Sequence, residues 1–109
     1  PGTMVCRIDG VMFFADADYV RKHILADVRT QPVRPQLVVL DLEMIPEIDI
    51  TATITLGQLI DELRSDGVAV SLAEVRGPVR KMLKRDGIIE RLGADRMFYT
   101  IDEAVAAGP

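Results

Sequence analysis

The stretch Leu37-Val38-Val39-Leu40-Asp41-Leu42, the loop Glu43 to Asp49 behind it, and the apolar positions Leu56, Leu59, Ile60 and Leu63 decide the fold. Residues 37–42 are apolar on both alternating faces apart from Asp41. Such a run reads as a strand covered on both sides, the habit of parallel sheets flanked by helices. Positions 56, 59, 60 and 63 then mark one face of a helix. Gly67 is a C-terminal glycine for that helix, and Val68 to Leu72 is a second buried strand. Strand, helix and strand in this order make a parallel crossover unit.

Working outward, the same alternation continues. Upstream, Ala17, Val20, Ile24, Leu25 and Val28 form a helical face with Asp16 as its N-cap, and Pro32 to Pro35 make a rigid connection. Before it, Met4 to Ile8 reads as a strand, Asp9-Gly10 as a turn and Val11 to Phe14 as a second strand, an antiparallel hairpin. Downstream, Gly77-Pro78 opens a helix with Val79, Met82 and Leu83 inward, and Gly87 ends it. Met97 to Tyr99 is a last strand, and Thr100 to Glu103 is a capping box for a helix with Ile101, Ala104 and Val105 inward. The order ββαβαβαβα predicts one α/β domain over residues 1–109. Its sheet is expected to be mixed but mostly parallel, with an N-terminal antiparallel hairpin and about four helices.

Composition narrows the class. At 109 residues the chain is one domain, and 49% apolar with 28% charged residues suits a folded core with a polar surface. No run of 18 apolar residues occurs, and no basic segment leads an apolar one as in a signal peptide. The sequence opens at Pro1 without an initiator Met, so it is expected to be a fragment of a larger protein. A net charge of −4 disfavours a nucleic-acid binder. The single cysteine, Cys6, permits no internal disulfide and reads as apolar filler in a reducing compartment. There is no Cys/His cluster for zinc, and His23 has no nucleophile placed beside it.

The charge is unevenly distributed. Residues 76–91 carry Arg76, Arg80, Lys81, Lys84, Arg85 and Arg91 against Asp86 and Glu90, a net of +4. Residues 41–66 carry seven acids and one arginine, a net of −6. The basic stretch is either a solvated helix face or a surface for anionic lipid or an acidic protein.

Four segments together carry a resemblance. They are Arg7 to Ala17, Leu37 to Leu42 with Ile48-Asp49-Ile50-Thr51-Ala52, Leu59 to Ala73, and Met97 to Val105. In this order and spacing they resemble the STAS domains of sulfate-permease-type (SulP) anion transporters. That resemblance implies a cytoplasmic regulatory domain, not an enzyme, attached to a transmembrane domain at the cytoplasmic face of the bacterial inner membrane. It also implies kinship with bacterial anti-sigma-factor antagonists, which act as protein-interaction switches and are the alternative reading. In those antagonists a serine directly after the aspartate is phosphorylated. Here Asp49 and Thr51 match that motif, but the switch position is Ile50, which has no hydroxyl. The departure favours the transporter branch.

The best candidate ligand site is the start of the helix after Asp49. Helix N-termini offer free N–H groups and partial positive charge to anions, and ligands of open α/β sheets sit beyond the carboxyl ends of strands. Asp49, Thr51, Ala52 and Thr53, with Arg76, Gly77 and Arg80 from the next helix start, are the candidate residues. Against a ligand, Glu43, Glu47 and Asp49 repel anions, and Asp49 serves equally as a simple cap. Some STAS domains are held to bind guanine nucleotides, so GDP or GTP is the implied ligand. Without a Gly-rich loop bearing Lys, binding is expected to be weak. Leu40-Asp41-Leu42-Glu43-Met44-Ile45-Pro46 superficially resembles a receiver's phosphoacceptor strand, but no lysine follows the last strand to complete that chemistry.

Overall fold

The structure, a computed structural model, describes residues 2–109. Its strands are β1 (Thr3–Arg7), β2 (Leu37–Asp41), β3 (Ala69–Ala73) and β4 (Met97–Phe98). Its helices are α1 (Gly10–Ala15), α2 (Ala17–Arg29), α3 (Ile50–Ser65), α4 (Gly77–Arg85), α5 (Ile88–Leu92) and α6 (Ile101–Ala107). A 3-10 turn, Ala94–Arg96, precedes β4. The strands pair side by side in the order β1-β2-β3-β4, all parallel. Thr3 sits opposite Leu37, Leu37 opposite Ala69, and Leu72 opposite Met97.

Sequential strand order has a geometric consequence. Each crossover steps one strand in the same direction, and right-handed connections then place every connecting helix on one face. That face holds the main core. Leu56, Leu59, Ile60 and Leu63 of α3 pack with Val20, Ile24, Leu25 and Val28 of α2, with Val79 and Leu83 of α4, and with Val38, Leu40, Val70 and Leu72 of the sheet. Arg21 strengthens the α2–α3 seam by donating to Glu62 at 2.7 and 2.9 Å and to Asp18 at 2.7 Å. Among the described residues only α6 covers the opposite face, where Ala104 packs with Leu37, Val39 and Ala73.

The expected antiparallel hairpin is not formed, and among the described residues every strand pair is parallel. Residues 11–14 lie in α1. Asp9 Oδ1 accepts the backbone N–H groups of Val11 (2.9 Å) and Met12 (3.1 Å), so Asp9 is a helix N-cap rather than the first turn residue of a hairpin. Gly10 is required for close approach: a Cβ there would lie 2.0 Å from the Met44 carbonyl oxygen. A short apolar run has no period of its own and Asp9-Gly10 suits a turn or a cap alike, so the close approach of the Met44 carbonyl to Gly10 decides its state.

The helix count is also corrected: the described residues form six helices rather than about four. The additional two are α1 and α5. Gly87, with φ 77°, ends the α4 segment as expected, but it also starts α5, which Gly93 (φ 104°) closes. Of the expected inward positions of α6, Ala104 is buried, Ile101 is half-buried and Val105 is exposed.

Candidate functional site

The carboxyl ends of four parallel strands point to one edge of the molecule, and the loops gathered there make the candidate site. Asp41 closes β2 and organises the loop behind it. Buried to 1% exposure, it accepts the Glu43 N–H at 2.9 Å and the Arg7 Nε at 3.2 Å. The loop then runs over Ile45 and Ile48, both buried, to Asp49.

At the start of α3, Asp49 Oδ1 accepts the Ala52 N–H at 2.8 Å and the Asp49 carbonyl accepts the Thr53 N–H at 3.0 Å. Asp49 is thus the N-cap, as its sequence position allows. Thr53 is fully buried, and its hydroxyl lies 2.6 Å from Asp86 Oδ2 and 2.8 Å from the Ile50 carbonyl. Both neighbours are acceptors, so the hydroxyl proton is already engaged inside the fold. Asp86 sits below its ordinary carboxylate range because Arg85 donates to it first and Thr53 second. Thr51 and Ile50 are exposed, and Ile50 presents its side chain to solvent at 57% exposure.

Arg76 precedes α4, and its Nε donates to the Glu43 carbonyl at 2.9 Å, which ties the α4 start to the loop after β2. Gly77 and Pro78 occupy the first turn of α4, and Pro78 has no N–H to offer. Asp86, the residue that meets Thr53, lies beyond the opposite end of this nine-residue helix. Nine residues of helix span about 13 Å. The structure therefore joins Asp49, Thr51, Ala52 and Thr53 in one turn. Arg76, Gly77 and Arg80 belong to a second helix start, at the other end of α4 from the Thr53 contact.

Two features of this edge escape a sequence reading. The first is a groove of about 560 Å³ lined by Gly10, Val11, Phe14, Met44, Pro46, Glu47, Ile48 and Asp49. Val11 and Phe14 are 80% and 84% exposed. The apolar run at 11–14 is the available signal, which a strand reading of those residues obscures. The second is the reach of the basic stretch. Arg85 pairs with Asp86, Arg91 pairs with Asp61 at 2.6 Å, and Arg76 is held by the Glu43 carbonyl. Arg80, Lys81 and Lys84 are exposed and have no ion-pair partner among the described residues. Elsewhere, burial and the nearby Asp27 charge push the Cys6 thiol up to about 11, and the described residues contain no group of His, Cys, Asp and Glu suited to a metal.

Comparison with known proteins places this geometry. The family model described as STAS domain matches residues 1–105. A probable sulfate transporter of Mycobacterium tuberculosis is 34% identical over 107 residues, covering 98% of this chain and 19% of that protein. The chain thus spans about a fifth of the length of the curated relatives it matches. Among solved structures, a sulfate transporter family protein from Wolinella succinogenes superposes with a TM-score of 0.82 at 27% identity, covering 97% of this chain and 84% of that one. The SulP transporter STAS domain from Vibrio cholerae gives 0.85 at 24% identity, over 97% of this chain and 80% of its own. A stressosome structure gives 0.79 at 15% identity, over 97% and 89%, a likeness of fold alone.

Proposed function

Because the chain belongs to the STAS domain family, we propose that it is the regulatory domain of a bacterial sulfate or related anion transporter. On this reading it lies at the cytoplasmic face of the inner membrane and performs no catalytic step. It modulates transport through contacts that differ between transporter states, since only differential contacts can shift a conformational equilibrium. The observation that carries the reading is the match of nearly the whole chain to about one fifth of a sulfate transporter. The described residues contain no helix long and apolar enough to cross a membrane, so the proposed transport path is assigned to a separate membrane part.

The rival reading, a stand-alone anti-sigma-factor antagonist, shares the fold with the stressosome neighbour. Ile50 speaks against it, because the exposed position that a phospho-switch needs carries no hydroxyl. We propose the α3 start as the site of a guanine nucleotide, where Ile50 and Thr51 contribute N–H groups. Arg80, Lys81 and Lys84 are the proposed contacts for anionic lipid or an acidic protein.

The test is sulfate uptake by the full-length parent in a bacterial strain lacking sulfate transport. Removing residues 3–107 should lower uptake at least fivefold while the membrane part remains inserted. A parent protein without a membrane part, or unchanged uptake after the deletion, overturns the reading.

A further inference from the structure

The groove between α1 and the 43–49 loop has an apolar lining and an acidic rim. Val11, Phe14, Met44, Pro46 and Ile48 supply the apolar surface. Phe14 lies at the junction of this groove with a second hollow, lined by Asp16, Asp18, Asp49 and Thr51. Glu47 lines the groove, is exposed and forms no ion pair among the described residues, and Glu43, the residue before the lining Met44, is exposed and likewise without an ion pair. Asp9, Asp16 and Asp49 cap helices at the same edge. No cation lines either hollow; Lys81 and Arg85 meet Glu47 and Ile48 only from the α4 side.

Two large side chains left this exposed cost solubility, and contiguous apolar surface on a folded domain marks an interaction site. The rim then selects the partner. An anionic membrane surface is repelled by these carboxylates, whereas a segment bearing Lys or Arg beside apolar anchors matches both the lining and the charge. Cytoplasmic loops of membrane proteins carry such an excess of Lys and Arg. We propose that this groove docks a Lys/Arg-flanked apolar segment on the cytoplasmic side of the parent protein's own membrane part. The inference rests on the transporter reading above and specifies the contact through which that regulation passes.

The experiment uses the full-length parent in its native membrane, with Phe14→p-benzoylphenylalanine as the photo-crosslinking position. Val33, 82% exposed in the segment leading into β2 and thus at the opposite edge of the sheet, is the control position. Irradiation followed by peptide mass spectrometry should identify adducts from position 14 on a Lys/Arg-bearing loop of the same membrane part. Position 33 should give less than one fifth of that yield. Adding Glu43→Lys and Glu47→Lys should cut the position-14 yield at least fivefold without altering the melting temperature of the domain, since both side chains are exposed. Adducts on lipid, on a second copy's residues 2–109 or on a different protein overturn the proposal, as does the absence of any adduct. A parent that takes up sulfate in a domain-dependent way while showing such adducts retains the transporter reading and loses only the docking site. A parent with no membrane part loses both.

Discussion

At the scale of single residues, the informative position is Ile50. It is exposed at the first turn of α3, directly after a capping aspartate, where a kinase substrate would display serine. Incubation with an anti-sigma-antagonist kinase and ATP should leave the mass of the peptide spanning residue 50 unchanged. Stoichiometric phosphate on Thr51 would instead favour the switch reading. The cap itself can be tested separately. Asp49→Ala should destabilise the domain by about 1 kcal/mol in urea unfolding, and Asp49→Asn by only a few tenths, because Asn still accepts the Ala52 N–H. Asp49 was legible as a cap because a short acidic side chain before a helix has one dominant local use. The Thr53–Asp86 contact was not legible. It joins residues 33 apart in sequence, and no local pattern encodes which aspartate a buried threonine will meet.

At the scale of elements, α1 separates what the sequence states from what the fold decides. Asp9-Gly10 suits a hairpin turn and a helix cap alike, and four apolar residues suit either state. The choice follows from a tertiary contact, the approach of the Met44 carbonyl to Gly10. Gly10→Ala should therefore destabilise the domain by more than 1 kcal/mol, because the obstructing atom is backbone and cannot rotate away. Amide exchange should localise the change to α1 and residues 43–49; exchange unchanged there would contradict the packing described. The long helices α2 and α3 were readable because their apolar positions repeat over several turns. The five-residue α5 was not, since it is too short to show a period and lies between two glycines.

At the scale of the whole molecule, acid sensitivity follows from ion pairs spread over the surface. Asp18, Asp66 and Asp86 are each held below the ordinary carboxylate value of 3.8, chiefly by hydrogen bonds from Arg21, Arg29 and Arg85 respectively. A group whose pKa is lower in the folded state contributes stability that is complete above the unfolded value. That contribution is lost as pH falls through the folded one. The melting temperature should accordingly be nearly flat between about pH 5 and pH 8 and drop below about pH 4. Asp66→Asn should shallow that drop, and a drop as steep in the variant as in the parent domain would count against the assignment. The sheet's strand order has a different consequence, in the time domain of synthesis. Each new strand from β2 onward joins the one made just before it, at separations of 34, 32 and 25 residues for the pairs Thr3–Leu37, Leu37–Ala69 and Leu72–Met97. No later strand has to be threaded between earlier ones. The chain can therefore assemble in the order in which a ribosome releases it, one crossover at a time. One step must wait: Leu37 and Val39 stay bare on their second face until α6, made after all four strands, closes over them.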